Sequence, residues 1–114
     1  MSAQSDIQTL INTYRDAVMK KDVEKVMALY ADDIVSFDAI KALQFKGKPA
    51  YREHWVACME MCPGPHIFEF HEIAIESADN IAFAHWVANC GGTNEKGETQ
   101  SCWMRVTACY RQVG

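Results

Sequence analysis

The chain has 114 residues, 49% of them hydrophobic and 23% charged, and carries a formal net charge of −4 at pH 7. That length and balance describe one domain with a real core, not two domains and not a disordered chain. Eleven Lys and Arg, scattered along the sequence, leave no basic stripe for nucleic acid. No apolar run reaches the ~18–20 residues that span a bilayer. The first six residues have neither a basic nor an apolar leader region. A cytoplasmic protein with no membrane and no nucleic-acid partner is expected.

In chain order, Ser5 to Gln8 has the form of a capping box. Ile7, Leu10, Ile11, Tyr14 and Val18 then fall on one face of a helix. Lys20 and Lys21 suit its negative pole. Asp22 caps a second helix, whose apolar face is Val23, Val26, Met27 and Tyr30. The β-branched and aromatic run Ile34–Phe37 reads as a short strand ending at Asp38. Residues 39–46 read as a loop, and Asp32 and Asp33 as the end of the second helix and a turn. Pro49 suits the first turn of a third helix carrying Tyr51, Trp55, Val56 and Met59, which Pro63, Gly64 and Pro65 bring to an end.

The remainder alternates with period two. Ile67–Ser77, Ile81–Cys90 and Thr99–Val113 predict three long antiparallel strands, joined at Asp79 and Asn80 and through the polar stretch Gly91–Glu98. On the middle strand both faces are apolar: Ile81, Phe83, His85 and Val87 on one, Ala82, Ala84, Trp86 and Ala88 on the other. One face should cover the helices and the other a second subunit. The expected architecture is α+β, three N-terminal helices packed on a curved antiparallel sheet.

Five cysteines, at 58, 62, 90, 102 and 109, favour free thiols over a disulfide framework. Cys58 and Cys62 are four apart, with His54 or His66 as conceivable companions. No second pair has ligand spacing, so packing is expected and a metal is not. No nucleophile triad, phosphate loop or cofactor fingerprint is present, and no cofactor is expected.

With that order of elements, the chain resembles the nuclear transport factor 2-like superfamily in its ketosteroid isomerase-like or SnoaL-like branch. The resemblance rests on the Tyr14 helix, the Asp22 cap, Leu29 to Asp33, Phe37 with Asp38, and Gly47 to Arg52. It continues more loosely through 67–113. It implies a single SnoaL-like domain over 1–114, a cone-shaped α+β barrel of the cystatin-like kind, without the final strand such proteins usually add. In steroid isomerases of this family a helix-one tyrosine and a protonated acid bind the enolate oxygen, while a strand aspartate moves the proton. The resemblance places the phenol at Tyr14 and the base at Asp38. Arg105 and Thr107 stand where the second acid would be, and Arg105 could clamp an anion or carbonyl instead.

Each of these residues also has a plainer reading. Asp38 could cap the following loop or pair with Lys41 or Arg52, and Tyr14 could be a packed aromatic with its hydroxyl satisfied locally. Arg105, on the same strand face as Trp103 and Thr107, either pairs with an acid such as Asp38 or Glu69 or holds an anionic ligand. His85 and His71 could line the cavity, and Trp55, Trp86 and Trp103 are core or pocket wall. The sequence therefore points to a small-molecule pocket protein, a homodimer through its sheet face, binding an apolar ligand with a carbonyl or carboxylate. Catalysis would be proton transfer alpha to a carbonyl, with Asp38 as base and Tyr14 at the oxyanion. Trp55, His85, Trp103, Arg105 and Thr107 would be ligand contacts. The alternative is a non-enzymatic binding or assembly domain.

Overall fold

A computed structural model describes residues 3–37, 42–61 and 66–113. Helix α1 spans Ala3–Met19. It begins before the predicted cap: the Ser5 carbonyl already accepts from Thr9 Oγ1 at 3.0 Å, so Ser5 lies within the first turns. Its other end is closed by backbone hydrogen bonds from Asp22 N to Ala17 O (2.9 Å) and Lys21 N to Val18 O (3.0 Å). Lys21 sits at φ 57°, in the left-handed conformation this closure needs. Asp22 immediately caps α2 (Val23–Met27), accepting from Lys25 N at 3.1 Å. The helical hairpin thus turns within a few residues, as the sequence predicts.

Strand β1 (Val35–Phe37) pairs antiparallel with β2 (Gln44–Lys46). The second of these falls where a loop was expected. Its Phe45 is the reason, since the ring turns inward and stacks on His54 at 4.5 Å. Gly47, at φ 88°, then donates to Ile34 O at 2.7 Å, a turn that favours glycine. Helix α3 spans Lys48–Met61, with Pro49 in its first turn as predicted.

The long strands are β3 (His66–Ala78), β4 (Ile81–Thr93) and β5 (Thr99–Arg111), antiparallel in the order β3-β4-β5. The β3–β4 joint falls at Asp79 and Asn80 as expected, while β4 runs on through Gly91 to Thr93, into the predicted loop. The β3–β4 register shifts between His71 and Ala74, with Glu72 at φ 57°. One extra residue reverses which side chains face inward. Phe68 and Phe70 pack toward the helices before the bulge, Ile73 and Ile75 after it.

The core has two parts. Ile11 packs against Ala84, Trp86 and Ala88, where alternate alanines on β4 let α1 approach the sheet. Ala17, Val18, Val26, Met27 and Met59 form the other part, among the helices. The α+β reading stands, but the helices are not three equal members lying side by side on the sheet. Helix α1 rests along β3, whereas the five-residue α2 packs on α1 and α3. Of the two apolar faces of β4, Ala82, Ala84, Trp86 and Ala88 meet the helices. Ile81 and Phe83 are exposed on the other face. No helix among the described residues is long and apolar enough to cross a membrane.

Candidate functional site

Tyr14 stands where the two parts of the core meet, packed against both. The spacing that puts it on the apolar stripe of α1 also drives its ring into the space between the helices and the sheet. There it is boxed by Phe68 (5.6 Å between centroids), Trp55 (6.0 Å), Phe70 (6.1 Å) and Tyr30 (6.3 Å). Edge-on contacts dominate, the arrangement that aromatic quadrupoles favour.

The phenols form a chain. Tyr14 and Tyr30 are hydrogen-bond partners, and Tyr30 is also linked to Tyr51. Burial, reinforced by Tyr51, pushes the Tyr14 phenol far above its usual range. Burial, with Tyr14 and Tyr51, likewise raises Tyr30. Tyr110, on the inner face of β5, is pushed up to about 12, mainly by burial. All three are therefore neutral donors at physiological pH.

A pH consequence follows from these shifts. In the unfolded chain these phenols ionise near pH ~10, whereas the folded state holds their protons to higher pH. Their contribution to stability is complete below about pH 10 and is lost as pH rises through the folded values. The expected result is a urea midpoint that begins to fall at about pH 10 and keeps falling up to at least about pH 12, the raised value of Tyr110, with Tyr14 and Tyr30 ionising only on unfolding. Reversible phenolate absorbance from both residues near pH ~10 in the folded protein would contradict it.

Around this box lie buried polar atoms without partners. Trp55 Nε1, Trp86 Nε1 and His66 Nε2 make no hydrogen bond in the structure, although Trp86 is only 4% exposed. Asn89 Oδ1, which also makes none, lies on the outer face of β4 opposite Trp103. Each such group costs about 1–3 kcal/mol if left unmet. Two indole donors beside a phenol donor suit an apolar ligand with an oxygen to receive those bonds. Desolvation and the nearby Lys21 lower the pKa of His66.

Of the residues singled out from the sequence, Tyr14 and Trp55 come together here. Asp38 lies outside the described residues. Arg52, one of its suggested partners, is engaged with Glu24, with Nε to Oε1 at 2.8 Å. Trp103, Arg105 and Thr107 do not join Tyr14. On β5 the inward positions are Met104, Val106, Ala108 and Tyr110, so the three alternate residues point to the other, exposed face. His85 shares that face. There His71 Nε2 lies 3.6 Å from Glu69, an ion pair when the imidazole is protonated, and the His71 ring lies 5.4 Å from that of Trp103. Val87, Trp103, Met104 and Arg105 line an open groove of about 650 Å³. Among the described residues no three His, Cys, Asp or Glu are grouped to hold a metal. Cys58 lies 3.6 Å from His54 Nε2, and Cys62 is outside the described residues.

Tyr30 and Tyr51 belong to this box although the sequence does not mark them as site residues, while Trp86, expected as core or pocket wall, lies in the core. Tyr30 and Tyr51 were visible only as apolar positions. Their link to Tyr14 appears once the helices fold over one another.

A model of the SnoaL-like domain family matches residues 11–113. The chain belongs to the SnoaL-like domain family. A solved NTF2-like protein of unknown function from Pseudomonas putida KT2440 is 47% identical, with a TM-score of 0.89, over 98% of this chain and 78% of that one. A ketosteroid isomerase-like protein from Erwinia carotovora atroseptica (20% identity, TM-score 0.77, 94% and 82% covered) shares the fold of this SnoaL-like chain. So does a cystatin-like protein from Nostoc punctiforme (17% identity, TM-score 0.78, 99% and 84% covered). No protein of curated function matches it.

Proposed function

We propose that this SnoaL-like domain binds a modest apolar ligand bearing a carbonyl or carboxylate in the aromatic box around Tyr14. On this reading it transfers a proton alpha to a carbonyl without a cofactor, in the cytoplasm. The observation that carries the proposal is the neutral Tyr14 phenol at the meeting point of both core parts, beside two buried indole N–H groups that lack acceptors. Tyr14 donates to the carbonyl oxygen and strengthens that bond as negative charge builds there. Asp38, following β1 in sequence, takes the α-proton and returns it to the neighbouring carbon. The helices and sheet close around the ligand as a cone, with Trp55 as wall and donor.

The experiment is Tyr14→Phe, assayed for binding of enolisable ketones and small acids. Loss of one buried hydrogen bond should weaken affinity by about tenfold. Trp55→Phe should weaken it by a similar factor. Unchanged affinity in Tyr14→Phe would refute the placement of the ligand oxygen.

The exposed sheet face favours a companion reading as an assembly domain. Ile81, Phe83 and Trp103 are 67%, 45% and 62% exposed on it, beside His85, Arg105 and Thr107. An apolar patch of that kind, rimmed by polar groups, suits a homodimer interface. Sedimentation as a monomer at micromolar concentration would remove the dimer without touching the pocket.

A further inference from the structure

The β4–β5 register sets Cys90 directly opposite Cys102. Directly opposed residues of antiparallel strands point to the same face, with α-carbons ~4.5–5.5 Å apart. That separation lies inside the ~4.4–6.8 Å window that disulfides occupy, and both thiols are free. The next residue, Gly91, brings the two backbones so close that a Cβ there would lie 2.6 Å from Ser101 Cα.

The two thiols differ in setting. Cys102 is exposed, while Cys90 is half-buried among the side chains around Ile11 and Trp86, with Tyr14 in the same group. Burial, then Cys102, pushes the Cys90 thiol up to about 11. Both fall on the helix-facing side of the sheet, in phase with Met104 and Val106, so a partner covering the outer face would leave Cys102 accessible. Cys109, by contrast, lies opposite Phe83 on the outer face.

We propose that Cys90 and Cys102 are a reversible redox site, which a low-molecular-weight disulfide converts to a cross-strand disulfide beside Tyr14. The exposed Cys102 reacts first. Its thiolate attacks one sulfur of the reagent, expels one thiolate and becomes a mixed disulfide. Cys90 then loses its proton and attacks the Cys102 sulfur, expelling the second thiolate. Two protein thiols are oxidised and one small disulfide is reduced to two thiols, so electrons and protons balance. Cys90 is an electrostatic neighbour of the Tyr14 phenol, and oxidation removes its ionisable proton from that environment. The step stands on the strand register alone and does not depend on what the aromatic box binds.

The test equilibrates the full chain with glutathione and glutathione disulfide over a series of ratios, alkylates the remaining thiols and maps the peptides. The expected product joins the Cys90 and Cys102 peptides, lowers the intact mass by two hydrogens and reverts in excess glutathione. Cys102→Ser, an exposed and conservative change, should abolish it, while Cys109→Ser should leave it intact. Recovery of Cys102 only as a glutathione adduct, with Cys90 always alkylated, would overturn the proposal. So would the same mass loss persisting in Cys102→Ser.

Discussion

Asp38→Asn is expected to lower turnover of an enolisable ketone by about a thousandfold, within the range a positioned general base contributes. The amide keeps the size of the carboxylate but cannot take up the α-proton. Ligand affinity and the urea midpoint should change little, because the side chains proposed to wall the site are aromatic and the proposed Tyr14 donor is kept. Steady-state kinetics beside equilibrium binding separates the two effects. Loss of kcat with binding retained supports proton transfer by Asp38. Turnover within about tenfold of wild type would remove Asp38 from the mechanism and leave a binding domain.

Gly91→Ala is expected to be the most damaging single change to the fold. A Cβ at residue 91 would fall 1.9 Å from the Gln100 carbonyl oxygen and 2.6 Å from Ser101 Cα. Both are backbone atoms of β5, so no side chain can swing aside. Relief requires the β4–β5 ladder to part at this point, and overpacking of that kind costs about 3 kcal/mol. A domain of this size has only about 5–15 kcal/mol in total. The measurement is the urea midpoint of Gly91→Ala against wild type, with Gly97→Ala as a control. A Cβ at Gly97 meets no atom within 4 Å, although its φ of 79° adds backbone strain. A loss below about 0.5 kcal/mol at Gly91 would show that the strands are not held so closely there.

Much of this arrangement was legible from local chemistry. The 3–4 spacing on α1 put Tyr14 on its buried face, Asp22 marked the start of α2, and period-two alternation marked the long strands. What could not be read depended on contacts between distant segments. The pairing of β2 with β1 needs Phe45 to find His54 on α3. The bulge at Glu72 inserts an unpaired residue that no composition marks, and it changes which side of β3 faces the helices. Arg105 was read as an inward group because one strand alone does not tell which of its faces the core will claim. The inward set on β5 is Met104, Val106, Ala108 and Tyr110, and the alternation is as regular for one choice as for the other. Likewise, Tyr30 and Tyr51 looked like ordinary apolar positions until the helix crossing brought their hydroxyls into line with Tyr14.

The most direct test of the proposed pocket uses the indole N–H resonances of the three tryptophans, which report two different places. Trp55 and Trp86 carry buried N–H groups near Tyr14, whereas Trp103 is exposed on the opposite face of the sheet. In a titration with enolisable ketones and small acids, followed by nitrogen–proton correlation spectra, the Trp55 and Trp86 signals should shift together while Trp103 stays in place. Movement of Trp103 alone would place binding on the outer sheet face and contradict a ligand site around Tyr14.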